Sequence, residues 1–402
     1  MTPSEHLPVF KIRSGHPDFR DLPWDYPLAE WQGRCVRLED LPRGVSRHTV
    51  IFVNYSGYLY ALKELPSGVA QTEFKALRHL EELRLPAVKP VGTVQLRTPE
   101  RKASTLITTY LDHALPYRML FMQTSLNRYR DHLLDAMAGL LVQLHLAGIF
   151  WGDCSLSNTL FRRDAGTLQA YLVDAETTEI FPPRLEPTMR FHDLEIMEEN
   201  LMVDLKSLAS SGLLASGFLV TETGSSIRQR YRGLWEEIDR EEIINPGETY
   251  RVQERIRALN MLGFSLDDVE MRSAESGNQL RLRFFVTDRH FHSEQLLSFT
   301  GLEAEERQAL QMMNEIQELR ATMSQQQNQK VLLAVAAYYW LENVYQPVID
   351  RLKPLIEKHH SPTELYCQVL EHKWYLSERA HRDVGHQAAV EDYLKNIAGY
   401  NP

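Results

Sequence analysis

The stretch "IFWGDCSLSNTLF", residues 149–161, decides how this chain reads. It follows the helical segment "LNRYRDHLLDAMAGLLVQLHLAGI", in which Gly148 stands as a C-cap candidate. It precedes a short apolar strand that ends in acids, "YLVDAE". Asp153, Asn158 and Asp174 therefore lie beside a hydrophobic core. Asp and Asn are common turn residues. The same three side chains can also hold a metal against a nucleotide phosphate, because a hard cation takes oxygen ligands.

Upstream, "YALKEL" reads as a strand, where residues two apart share a face. Ala61 and Lys63 then point the same way. A small side chain makes room for a flat base, and an ammonium can reach phosphates. A lysine on a strand can also be no more than a solvated charge. In "VAQTEFKALRHLEELRL" the apolar face of a helix is Phe74, Leu77, Leu80 and Leu83. Glu73 borders that face. A carboxylate there needs a partner, and either Lys63 or water at the edge of the stripe supplies one. In this scheme Asp153 takes the proton of an attacking hydroxyl. Asn158 turns its carbonyl oxygen to a metal, and Asp174 holds Mg²⁺ against phosphate oxygens. The ordered set Lys, Glu, Asp-x4-Asn, Asp carries more weight than any member alone.

With these motifs, residues 36–212 resemble the protein-kinase-like superfamily. "YALKEL" is similar to its strand-lysine motif, and "TEFKALRHL" to the helix carrying the glutamate partner. "LVQLHLAGIFWGDCSLSN" is similar to the helix and catalytic loop, and "LVDAE" to the metal-binding segment. The phrases "GVSRHTVIFV", "GDCSLSNTLFRRDAG" and "YLVDAETTE" resemble a narrower bacterial group, lipopolysaccharide-kinase-like and of unknown function, that covers nearly the whole chain.

The resemblance implies an ATP- and Mg²⁺-dependent phosphotransferase acting on a hydroxyl of a small molecule, sugar or lipid head group. Lys63, Glu73, Asp153 and Asn158 would be catalytic. Gly44, Ser46, Arg47, Ala61, Lys63, Thr109 and Leu111 would bind the nucleotide, with Thr109 and Leu111 as backbone contacts to adenine. Asn158, Asp174 and Glu176 would hold the metal. The alternative is a catalytically weak pseudokinase serving as a nucleotide-binding scaffold, and a third option is nucleotidyl transfer. The sequence departs from the superfamily pattern in several places. Trp151 and Gly152 stand where a histidine and an arginine are usual. The metal triplet reads Asp174-Ala175-Glu176. The phosphate-covering loop "LPRGVSRH" keeps only Gly44, and no peptide-docking segment follows Glu176.

The rest of the chain bounds this reading. Its 402 residues suffice for two or three domains, and 43% hydrophobic with 24% charged residues describe a globular protein. A net charge of −10 argues against broad nucleic-acid or anionic-membrane binding. Cys35, Cys154 and Cys367 are scattered, which fits a reducing, cytoplasmic setting and gives no cysteine-built zinc site. "MTPSEHLPVF" has no leader pattern, and "VLLAVAAYYWL" is too short to span a bilayer; it reads as a buried helix with Tyr338, Tyr339 and Trp340 in the core.

The expected fold is α+β. A bilobal kinase-like core, with a small antiparallel sheet lobe and a helical lobe, precedes an α+β accessory region and a helical tail. The expected segments are an irregular arm (1–33), the sheet lobe (34–112), the helical lobe (113–222), the accessory region (223–330) and the tail (331–402). "DDVEMRSAESGNQLRLRFFVTD" reads as a hairpin around Gly277, and "SPTE" as a capping box of Ser361 and Glu364. "WYLSERAHRDVG" (374–385) either caps the fold or faces a protein partner of the C-terminal half.

Overall fold

A computed structural model describes residues 8–41, 47–97, 102–122, 130–214, 220–245, 248–273, 280–286, 288–356 and 361–397. Gly44 and Ser46, and the turn around Gly277, lie outside the described residues. The chain divides into two compact units: residues 1–162 with 170–235, and residues 163–169 with 236–402.

The first unit opens with β1 (Val9–Ile12), β2 (Leu38–Glu39), β3 (Val50–Tyr55), β4 (Tyr58–Pro66), α1 (Val69–Glu82), β5 (Pro90–Arg97) and β6 (Lys102–Thr109). The six strands form one sheet in the order β1-β5-β6-β4-β3-β2. The segment read as an irregular arm thus donates an edge strand, with Val9 opposite Gln95 and Ile12 opposite Gly92. The rest of the arm packs on one face of the sheet. Phe19, Trp24, Leu28 and Trp31 share a core with Val53, Tyr60, Leu62, Val94 and Ile107. Alternation along β4 then turns Ala61 and Lys63 to the other face.

Helical and hairpin elements follow: β7 (Leu115–Pro116), α2 (Tyr117–Met122), α3 (Arg130–Leu146), β8 (Ile149–Phe150), β9 (Thr159–Asp164), β10 (Thr167–Leu172), β11 (Glu179–Ile180), α4 (Pro187–Ser210) and α5 (Val220–Asp239). Gly148 ends α3 with φ +80°. A Cβ there would strike the carbonyl oxygens of Phe181 and Pro182, so glycine is required on both counts.

The second unit adds β12 (Glu242–Ile244), α6 (Thr249–Met261), β13 (Leu266–Ser273), β14 (Leu280–Val286), α7 (Phe291–Thr300), α8 (Glu306–Gln326), α9 (Leu333–Trp340), α10 (Gln346–Ile356), α11 (Pro362–Ala380) and α12 (Gly385–Asp392). Its sheet runs β12-β14-β13, and β13 pairs antiparallel with β14 as the hairpin reading expects. The helices enclose a core that includes Leu296, Met312, Ile316, Trp340, Leu352 and Tyr366. Glu315 is satisfied inside it by Trp340 Nε1 at 3.1 Å, the Tyr366 hydroxyl at 2.6 Å and His386 Nε2 at 2.7 Å.

Three local readings change. Trp340 is buried, but Tyr338 and Tyr339 are 66% and 44% exposed, because a single helix cannot turn three consecutive residues inward. Trp374 and Tyr375 are likewise exposed. Ser361 does cap α11, its Oγ accepting from Glu364 N. The Glu364 carboxylate does not return to Ser361; it accepts from Ala165 N and Gln308 Nε2, both at 3.0 Å. On α1, Leu83 is exposed, whereas Glu73 is buried with Ala70, Ala76, Leu77 and Leu80. Among the described residues no helix is long and apolar enough to cross a membrane.

Candidate active site

Lys63 reaches across from β4 to two acids. Its Nζ donates to Glu73 Oε1 and Oε2, both at 3.1 Å, and to Asp174 Oδ2 at 2.7 Å. Burial pulls the lysine pKa down, but the two carboxylates outweigh it and the net shift is upward, so the ammonium is retained. Glu73 is fully buried, which lifts its carboxyl; Lys63 pulls the other way.

The loop after β8 is held from below by Asp193 of α4. Its Oδ2 accepts from Trp151 N at 2.8 Å and its Oδ1 from Gly152 N at 2.9 Å. Gly152 has φ +75°, and a Cβ there would lie 3.1 Å from Thr177 O. Trp151, at the usual histidine position, is buried and donates its indole N–H to Asp174 O at 3.0 Å. The loop is thereby tied to the segment that carries the candidate metal ligands.

Both Asp153 oxygens are occupied by amides. Asn158 Nδ2 donates to Oδ2 at 3.0 Å, and Asn200 Nδ2 donates to Oδ1 at 2.9 Å. Burial pushes Asp153 above its ordinary value, while Arg47 and the two amides oppose that rise. Because Asn158 uses its nitrogen on Asp153, its carbonyl oxygen is the end left to face a cation. Asp174 Oδ1 accepts from Glu176 N at 3.1 Å, and Glu176 Oε2 lies 3.3 Å from His48 Nε2. Asn158, Asp174 and Glu176 offer oxygen donors, the ligand type that Mg²⁺ takes. Among the described residues no three His, Cys, Asp or Glu side chains gather into a metal cluster.

Arg47, next to the phosphate-loop residues that are not described, donates to Asp153 Oδ2 at 3.2 Å. Ala61 lies on β4 opposite Thr108. The N–H of Thr109 is committed to Lys89 O, and Leu111 O accepts from Ala114 N. The carbonyl of Thr109 and the N–H of Leu111 are then the groups to weigh against a base.

Sequence reasoning missed Asp193, Asn200 and Asp204. Asp204 Oδ2 accepts from Ser157 N at 3.0 Å. A signal was present: Asp193, Met197, Asn200, Asp204 and Leu208 repeat at intervals of three and four. That spacing sets three polar side chains into the apolar stripe of α4. α4 begins at Pro187, so Asp193 lies in its second turn.

Residues 55–213 match the lipopolysaccharide kinase (Kdo/WaaP) family. Residues 233–398 match a domain of unknown function (DUF4032). The first match likens that segment, less than half of the chain, to the lipopolysaccharide kinase family. Among solved structures, the chain is similar to one of WaaP in complex with acyl carrier protein. The two are 15% identical with a TM-score of 0.37, over 63% of this chain and 98% of that one, a likeness too distant to bear on the site. No curated protein matches the chain.

Proposed function

We propose that the chain is an ATP- and Mg²⁺-dependent phosphotransferase whose acceptor is a hydroxyl on a small molecule, sugar or lipid head group. The observation that carries this is Lys63 joined at once to Glu73 and Asp174, with Asp153 oriented by two amides in the adjoining loop. The family match over residues 55–213 supports the same chemistry. Lys63 orients nucleotide phosphates, Glu73 steadies Lys63, and Asn158, Asp174 and Glu176 hold the metal. Mg²⁺, when bound, neutralises charge on the phosphate oxygens. Asp153 accepts the proton of the acceptor hydroxyl, a task that its raised pKa suits. Ala61 and the backbone of Thr109 and Leu111 receive the adenine.

The second reading is a nucleotide-binding scaffold with little turnover. Arg47 on Asp153 favours it, since a cation that would meet phosphate meets a carboxylate instead. One experiment separates the readings. The protein is incubated with Mg²⁺ and either γ-labelled or α-labelled ATP, with lipid, sugar and small-molecule fractions as acceptors. Transfer of γ label supports the phosphotransferase, and transfer of α label replaces it with nucleotidyl transfer. No transfer, together with a melting temperature raised by Mg-ATP, leaves the scaffold. No melting shift at millimolar Mg-ATP sinks both leading readings.

A further inference from the structure

Helix α5 begins beyond the segment matched to the kinase family, and Tyr231 falls outside both matched segments. Its inner face is Ile227, Tyr231, Trp235 and Ile238, all buried. Three arginines, Arg228 and Arg230 of α5 and Arg190 of α4, fasten the helices together. Arg228 makes two 2.7 Å bonds to Glu198 of α4, and Arg230 makes one of 2.6 Å to Asp135 of α3. The Arg190 guanidinium lies 3.8 Å over the Trp235 ring, which stacks on Tyr231.

This packing delivers the Tyr231 hydroxyl to His145 Nδ1 at 2.8 Å, and His145 Nε2 faces Asp193 Oδ2 at 3.1 Å. His145 is completely buried, and burial lowers its pKa, so the ring is neutral. A neutral imidazole carries one hydrogen. Asp193 already accepts from Trp151 N and Gly152 N, and a carboxylate can only accept. The ring hydrogen therefore belongs on Nε2, and Nδ1 must take a hydrogen from elsewhere. The Tyr231 O–H is that donor. Arg190 Nη1, 3.5 Å from the phenol oxygen, adds a donor on its other side.

We propose that Tyr231 is a positioning residue of the catalytic loop: its hydroxyl fixes the His145 tautomer, His145 orients Asp193, and Asp193 holds the Trp151 and Gly152 amides that set Asp153. The kinetic consequence rests on the phosphotransferase reading; the structural one does not. The relay also makes α5, outside the kinase match, part of the working catalytic unit.

The test is Tyr231→Phe in the full chain, which keeps the ring on Trp235 and removes only the oxygen. Nitrogen-15 NMR of labelled histidine should place the His145 hydrogen on Nε2 in the natural protein, and the variant should change those signals. Amide exchange at Trp151 and Gly152 should quicken. The kcat should fall roughly ten- to a hundredfold, the scale of a misplaced catalytic group, with the KM for Mg-ATP little changed. Arg230→Gln, which loosens α5 without touching the relay, should leave the histidine signals and both amides as they were. Unaltered His145 signals and amide exchange in Tyr231→Phe overturn the proposal, as does altered NMR with undiminished kcat. Should Tyr231→Phe not fold, the natural protein still decides: a hydrogen on Nδ1 of His145 refutes the relay. If the natural protein turns nothing over, the phosphotransferase reading has failed, and the NMR arm alone judges Tyr231.

Discussion

Arg47 Nη2 stands 3.2 Å from Asp153 Oδ2, the same oxygen that accepts from Asn158 at 3.0 Å. Arg47 is 77% exposed in its side chain, so the pair adds little to stability, about 1 kcal/mol at most. Its effect is on the charge of Asp153. Arg47→Ala removes a cation that lowers a pKa already raised by burial, so that pKa climbs further. The acid limb of the pH–rate profile should move to higher pH while the melting temperature holds. A limb that stays put means Arg47 does not sense Asp153 in the working state.

Lys63 serves two carboxylates, so Lys63→Met should cut Mg-ATP affinity at least tenfold, the scale of one charge-assisted contact. Glu73→Gln keeps a hydrogen-bonding group but drops the charge, and its defect should be smaller and of the same kind. Calorimetric titration with Mg-ATP reads both. Unchanged affinity and turnover in Glu73→Gln would break the link between Glu73 and the nucleotide.

Asp153 and Asp174 should fail differently. Asp153→Asn should keep the fold and Mg-ATP affinity while turnover drops roughly a hundredfold or more, the range for losing a general base. Asp174→Asn removes charge from the candidate metal site and from Lys63, so binding and turnover should fall together. Basal ATP hydrolysis is the readout until an acceptor is identified. Equal hydrolysis by Asp153→Asn and the natural protein would reduce Asp153 to a turn residue.

Asp164 gives a pH prediction in the second unit. It is buried, accepts from Arg307 N at 3.2 Å and Gln308 N at 2.9 Å, and is pushed up to about 7 from 3.8, chiefly by burial. The folded state thus holds this proton more tightly than the unfolded state does. Stability is then greatest below the unfolded value and is lost as pH rises through about 7. The full loss is on the order of 4 kcal/mol. Denaturant melts from pH 4 to 8 should show that decline, and Asp164→Asn should flatten it. A variant with the same slope would assign the titration to another group.

Much of the arrangement was legible because local spacing records it. The two-residue period of β4 put Ala61 and Lys63 on one face, and the apolar stripe of α1 exposed Glu73 as an anomaly in need of a partner. Asn158 and Asp153 are five residues apart and meet within one loop. Asp193 and Asn200 were illegible for the opposite reason: their partners lie more than 40 residues away in sequence, and polar residues inside an apolar stripe declare a partner without naming it. The tilt of Glu364 away from Ser361 is of the same kind, since a distant amide and a buried glutamine outcompete the local cap.

The hairpin tip at 163–169 has an evolutionary corollary. The chain leaves the first unit between Asn158 and Asp174, contributes Asp164 and Ala165 to the second, and returns. Such a layout cannot arise by appending one finished module to the end of another, nor be undone by deleting the C-terminal half. A lineage that lost that half would strand Asp164 without the α8 amides and Ala165 without Glu364, in the segment joining two candidate metal ligands. The two halves are therefore expected to be inherited, and lost, as one gene-level block.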